Sequence, residues 1–115
     1  MHSTPSIRCT VSATLLALTA TVASAAIAPG DLAIREFRLR GPASATDEYI
    51  VIHNKTAADI TVASGDATAG FAVASSGGTV AFVIPNGTVI KAKGHYLGVN
   101  TTGFSLGVTA DATWT

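Results

Sequence analysis

Short apolar runs separated by turn residues make up the sequence from Leu32 onwards, and this spacing directs the chain towards β structure. The runs are rich in Val, Ile, Thr and aromatic residues, which favour an extended backbone. Clusters of Gly, Asn, Asp, Ser and Pro stand between them and supply the turns. No long amphipathic helical pattern occurs in this part of the chain. Short strands with turn signals between them predict an all-β sandwich or barrel.

The clearest turn signals lie in VIPNGTVIKAKGHYL, residues 83–97. Pro85 has no amide hydrogen and is expected to end a strand, and Asn86-Gly87 accepts a positive φ at low cost. The segment Lys91-Ala92-Lys93-Gly94 predicts a second turn, after which Tyr96 and Leu97 re-enter the sheet. We therefore interpret the stretch as hairpin chemistry, with its lysines and His95 in solvent, and not as a ligand-binding loop.

Further strands are predicted on both sides of this stretch. Asp47–His53 has Ile50 and Ile52 on one face and Tyr49 and Val51 on the other, the pattern of a central strand covered on both sides. The remaining predicted strands are Leu32–Leu39, Ile60–Ala63, Phe71–Ala74, Val80–Ile84, Val89–Ile90 and the run from His95 to Val99.

The first of these strands breaks its own alternation near Arg35-Glu36. A β-bulge there would bring every large apolar residue of the strand to one face; these residues are Leu32, Ile34, Phe37 and Leu39. The bulge would also send Arg35, Arg38 and Arg40 to the solvent face. Without a bulge the strand is apolar on both faces, and Glu36 lies in line with Ile34.

Residues 1–26 have the features of a secretory signal peptide. Arg8 provides the positive start, Val11–Val22 a short apolar segment, and Ala23-Ser24-Ala25 a cleavage signal. A membrane anchor would need a longer apolar run. Cys9 precedes the apolar segment, so a lipid attachment site is not expected. The sequence thus predicts a signal peptide over 1–26, one domain over 27–115, and a secreted or cell-surface location without a stable membrane span.

The charge of the predicted mature domain is close to zero. Loss of Arg8 leaves six basic and seven acidic side chains, and no cysteine remains for a disulfide, a thiol nucleophile or a thiolate metal site. A near-neutral domain is a poor electrostatic match for nucleic acid. Nucleic acid is therefore not expected as a partner.

Three segments, taken in order, resemble the bacterial lamin-tail domain: GDLAIREFRLRG, DEYIVIHNK and FVIPNGTVIKAKGHYLGVN. The resemblance covers most of residues 30–100. It implies a secreted module with an antiparallel, immunoglobulin-like β-sandwich of Greek-key type. The residues that match the family pattern are Glu36, Asp47, Glu48, Tyr49, Asn54, Pro85, Asn86, Gly87, Gly94, Tyr96 and Leu97.

The chain departs from the family pattern in two places. Val51 stands where relatives often carry a glutamate, so any role of that acid is lost. Relatives also continue into further strands where this sequence reaches Asp111–Thr115. We therefore expect a fragment with an unfilled sheet edge and an incomplete core.

Several side chains suggest metal or anion sites, each with a plainer alternative. Asp31, Glu36, Asp47 and Glu48 are candidate calcium ligands, but no calcium-loop motif is present, and Glu36 or Asp47 paired with an arginine is the alternative. His53 and His95 are candidate metal ligands or acid–base groups, or else surface histidines. Arg35, Arg38 and Arg40, extended by Lys91 and Lys93, form a candidate phosphate-facing stripe, or else a solvated face.

Three Asn-x-Thr triplets start at Asn54, Asn86 and Asn100, all in predicted turns where a glycan fits. The bacterial resemblance suggests that they are not used. No catalytic motif is present, and no enzyme activity, metal or cofactor is expected.

These observations predict a non-catalytic extracellular module that binds an unknown protein or surface ligand. One alternative is the accessory domain of a secreted nuclease- or phosphatase-type hydrolase, whose catalytic part lies beyond residue 115. Another is a carbohydrate-binding β-sandwich.

Overall fold

A computed structural model describes residues 13–18 and 26–115 of the chain. Most of the predicted signal peptide lies outside these residues. Residues 13–18, which belong to its apolar segment, have no regular secondary structure, and Leu15, Leu16 and Leu18 are exposed. No helix among the described residues is long and apolar enough to cross a membrane.

The described residues form an all-β structure of eight strands. A four-stranded sheet has the order β1-β2-β7-β8, and two further pairs are β3-β6 and β4-β5. The strands are β1 Leu32–Arg38, β2 Tyr49–Asn54, β3 Ile60–Thr61, β4 Gly70–Ala74, β5 Val80–Pro85, β6 Val89–Ile90, β7 His95–Asn100 and β8 Ala112–Trp114.

Of the two alternatives for the first strand, the structure has the one with a bulge. The register of β1 against β2 shifts between Ile34 and Glu36, so Ile34 lies opposite Ile52, and Phe37 lies opposite Ile50. Because cross-strand partners in a sheet point to the same side, Ile34 and Phe37 share the inner face despite their opposite parity. The predicted position of β2 as a central strand is also confirmed, since it pairs with β1 and β7.

The β4-β5 hairpin packs against the four-stranded sheet through Phe82. This ring is buried and stacks on Tyr96, at 6.2 Å between centroids, and on Trp114, at 5.6 Å. Gly98 lies directly beneath the ring, and a side chain there would overlap it. The face-to-face packing of these sheets is consistent with a β-sandwich.

The predicted hairpin at Asn86-Gly87 is wrong, although the turn itself is present. Gly87 has a φ of 87°, but β5 pairs with β4 and β6 pairs with β3. The Gly87 amide instead donates to the carbonyl of Val62 (2.8 Å). The turn therefore carries the chain from one strand pair to the other, because these longer-range pairings outcompete the local one.

Asn54 joins the second predicted turn to the sheet. Its fully buried side chain donates to the carbonyls of Ala58 (2.8 Å), Ile90 (3.0 Å) and Lys91 (3.0 Å). The turn from Lys91 to Gly94 is as predicted and closes with a 2.7 Å hydrogen bond between these two residues. Asn54 thus joins the end of β2 to the loop that follows it and to the end of β6.

The strand β8 was not expected from the sequence. It pairs in parallel with β7, whereas the predicted sandwich is antiparallel. Three residues are too few for a periodic pattern, and the parallel pairing depends on a long connection that carries no local signal.

Candidate binding site

An open groove of about 610 Å³ lies between β1 on one side and β5 with β8 on the other. Ile50 and Val73 contribute to it from β2 and β4. Its polar lining includes Arg38, Glu48 and Asn100. Apolar side chains from five strands line most of the groove.

The apolar side chains of this groove are unusually exposed. Ile34 is 56% exposed, Phe37 60%, Leu39 66% and Val80 51%. Trp114 is half-buried at the same site. Isolated exposed apolar residues are ordinary, but a contiguous set that lines a groove is typical of a binding surface. The bulge therefore gathers the apolar residues of β1 on one face, as predicted, yet leaves most of that face uncovered.

The four acidic calcium candidates do not meet. Asp31 accepts a hydrogen bond from the backbone amide of Ala28, and Glu36 accepts one from the hydroxyl of Tyr49. Glu48 accepts one from the side-chain amide of Asn100 (2.9 Å). Among residues 13–18 and 26–115, no group of three or more His, Cys, Asp or Glu side chains is placed to hold a metal.

Asp47 forms an ion pair with Arg38. This is the alternative to a calcium site that the sequence suggested. The carboxylate is fully buried, pairs with Arg38, and accepts hydrogen bonds from the amide and hydroxyl of Ser105. Burial acts to raise the pKa of Asp47, but the bonds from Ser105 and the charge of Arg38 outweigh it and lower the pKa. Asp47 therefore anchors the 101–111 segment to the sheet.

Tyr49 extends this cluster on the outer face. Its hydroxyl bonds Glu36, the Arg38 guanidinium lies 4.9 Å above its ring, and Phe104 meets it edge to face. The hydrogen bond to Glu36, followed by burial, raises the pKa of Tyr49. Glu36, Tyr49 and Asp47 thus belong to one structural network, in which Arg38 contacts both Tyr49 and Asp47.

His53 and His95 are brought together, as directly opposed residues of β2 and β7. Their rings stack with centroids 4.6 Å apart. His53 Nδ1 donates to the carbonyl of Gly94 (3.0 Å), and His95 Nε2 accepts from Arg35 (2.7 Å). Because an arginine only donates, this contact requires an unprotonated His95 Nε2.

The histidine pair predicts a loss of stability in mild acid. Burial, then the charges of His53 and Arg35, lower the pKa of His95 from its ordinary 6.5. Well above pH 6.5 both the folded and the unfolded chain hold this group neutral. As the pH falls below that value, the unfolded chain binds the proton first, so the free energy of unfolding decreases. Urea unfolding at a series of pH values measures this slope.

The control is a His95→Gln variant, which removes the group that titrates. We expect its stability to depend less on pH between neutrality and mild acid than that of the wild type. The carboxylates with lowered pKa values, such as Asp59 and Asp66, begin to affect stability only below about pH 5, so the slopes are compared above that pH. An unchanged slope in the variant would contradict the prediction.

The predicted basic stripe is broken up in the structure. Arg38 is neutralised by Asp47, and Lys91 pairs with Asp59 (2.9 Å). Arg35 and Lys93 instead line a shallow depression with Lys55 and His53, on the face of the sheet opposite to the groove. Lys55 was not among the sequence candidates, because it belongs to a turn whose direction is set by tertiary contacts.

Two of the three Asn-x-Thr triplets are not surface turns, contrary to the sequence prediction. Asn54 and Asn100 are the last residues of β2 and β7, and both are buried with their amide nitrogens bonded. Asn86 is exposed, but its amide nitrogen donates to Ser64 and Thr68. Attachment of a glycan at Asn54 or Asn100 would require local unfolding.

Comparison of the chain with protein-family models, with curated proteins and with solved structures finds no match.

Proposed function

We propose that this protein is a secreted, non-catalytic binding module with an immunoglobulin-like β-sandwich of the lamin-tail type. The groove between β1 and the β5-β8 side carries this proposal. It presents Ile34, Phe37 and Val80, each more than half exposed, around a concavity of about 610 Å³. A partner that covers this surface removes apolar area from water, and this lowers the free energy of the complex.

The strand order supports the immunoglobulin-like part of the proposal. β2 and β7 are neighbours in one sheet although four strands that belong to the other pairs separate them in the chain. Such crossings between layers are typical of Greek-key sandwiches. The lamin-tail assignment is supported by the order of the sequence motifs, whose polar members Asp47, Tyr49 and Asn54 make specific structural contacts.

The proposed partner is an extracellular protein or surface ligand with an apolar segment that fits the groove. Polar groups from Arg38, Glu48 and Asn100 stand beside the apolar residues and supply hydrogen-bonding positions. A mostly apolar lining with a few fixed polar groups is the usual composition of a binding site. No step of bond making or breaking is part of this function.

The experiment compares two charged substitutions at exposed valines. Val80→Asp places a carboxylate in the groove, whereas Val108→Asp places one on the 101–111 segment, outside the groove. The full chain is expressed with its own N-terminal segment in the organism that encodes it, and the fraction retained on washed cells is measured. We expect Val80→Asp to lower retention about ten-fold, and Val108→Asp to leave it unchanged.

Two outcomes would overturn the proposal. A chain that stays inside the cell with residues 1–26 attached contradicts secretion. Equal retention of both variants and the wild type contradicts a role for the groove.

The presence of Phe37 and Trp114 in the groove also favours carbohydrate as a second candidate ligand. Retention of the wild type, but not of Val80→Asp, on insoluble polysaccharide would identify that ligand class.

A further inference from the structure

The outer edge of β1 has no strand partner among the described residues, since β1 ends the order β1-β2-β7-β8. An edge strand presents unpaired amide and carbonyl groups, and a second strand can bind to them. On β1 this edge adjoins the exposed side chains of Ile34 and Phe37. The edge therefore offers both backbone and apolar contacts to another strand.

The bulge makes this edge complementary to itself. If two copies of β1 run antiparallel about a two-fold axis between Arg35 and Glu36, then Ile34 faces Phe37 of the other copy. In the same register Leu32 faces Leu39. In a regular strand these partners would point to opposite faces, because their numbers differ in parity. The bulge places Leu32, Ile34 and Phe37 on the inner face, so the two Ile34–Phe37 pairs match on one side of the joined sheet.

The charges select the same register. At the axis Arg35 of each copy faces Glu36 of the other, which gives two opposite-charge pairs. A shift of one residue either way would place Arg35 against Arg35, or Glu36 against Glu36. Opposite charges directly across a sheet are stabilising and like charges are destabilising. Both side chains are exposed, so they are free to exchange their present contacts with His95 and Tyr49.

We propose that two copies of this chain associate through an antiparallel β1–β1 pair, which joins their four-stranded sheets into one. A two-fold interface of this kind uses the same surface on both subunits. It sets Ile34 of each copy beside Phe37 of the other and leaves Val80 and Trp114 accessible on the opposite wall of the groove. The association goes beyond the proposed function, because it requires no partner other than the chain itself.

A charge exchange tests the register. Arg35→Glu and Glu36→Arg each place like charges across the two-fold axis, and we expect each variant alone to dissociate at about ten-fold higher concentration than the wild type. An equal mixture of the two variants restores both opposite-charge pairs. Sedimentation velocity is expected to show that the mixture regains the wild-type dimer, while far-ultraviolet dichroism shows that each variant keeps its β structure.

Cysteine cross-linking keeps the proposal falsifiable if a charge variant fails to fold. In a Cys9→Ser background, differently tagged Ile34→Cys and Phe37→Cys chains are mixed and mildly oxidised. We expect the mixed 34–37 disulfide to form several times faster than either like-with-like disulfide, since only the mixed pair is opposed. Phe37→Cys mixed with Val108→Cys is the control.

Either of two results would overturn the proposal. One is a wild-type chain that remains monomeric at about 1 mM, a concentration at which even weak specific association is detected. The other is equal cross-linking in all cysteine mixtures. Both results leave the Val80 test of the groove unaffected, so failure of the dimer is distinct from failure of the proposed binding function.

Discussion

Replacing Phe82 with alanine is expected to lower the free energy of unfolding by about 3–5 kcal/mol. The ring is 4% exposed and joins the β4-β5 hairpin to the four-stranded sheet. It stacks on Tyr96 with an interplanar angle of 25° and on Trp114 with an angle of 19°. Its removal leaves a cavity above Gly98, which has no side chain to fill the space.

Phe37→Ala is the matched control, because it removes the same side chain from an exposed position. We expect a cost of about 1 kcal/mol or less there, since most of the Phe37 ring is already in contact with water. Urea unfolding followed by tryptophan fluorescence measures both values, and Trp114 reports directly on the loss of its neighbour. Similar costs for the two variants would show that the sheets do not pack through Phe82.

Replacing Asn54 with alanine is expected to cost about 3–5 kcal/mol, because several buried groups lose their partners together. The Asn54 side chain makes five hydrogen bonds, three as donor to carbonyls and two as acceptor from Thr56. No water replaces them at a fully buried position without local opening. The variant is therefore expected to loosen the turn after β6 as well as the end of β2.

Asn86→Ala is the control for this substitution. Asn86 also bonds three groups, in Ser64 and Thr68, but it is exposed, so water takes over these contacts. We expect a cost of about 1 kcal/mol. Hydrogen exchange of the Lys91–Gly94 turn separates the two cases, because only Asn54→Ala is expected to accelerate it. Faster exchange in both variants, or in neither, would contradict the assigned role of Asn54.

The positions of most strands were predictable because turn chemistry and alternation are local properties. The bulge in β1 was also predictable, since an apolar strand that changes parity has few other ways to bury one face. Which strands pair with each other was harder to predict from the sequence. Asn86-Gly87 was expected to close a hairpin, yet β5 and β6 each pair with strands from an earlier part of the chain.

The candidate site was predictable only in part. From the sequence, a bulge was one of two alternatives, and it would place the apolar residues of β1 on one face. Val80 and Trp114, on the other wall of the groove, were not connected with them, because they lie more than 40 residues away in the sequence. The stacking of His53 on His95 likewise depends on the register between β2 and β7.

By itself the sequence determined that residues 32–99 contain short strands separated by turns, and that the alternation of β1 breaks at Arg35-Glu36. Both follow from backbone preferences and side-chain alternation over a few residues. Only the tertiary structure decided that Asp47 pairs with Arg38, that Asn54 and Asn100 are buried, and that the apolar face of β1 stays open. These outcomes depend on which distant segments pack together. Long-range packing is determined by contacts over the whole chain, and no local stretch of sequence specifies it.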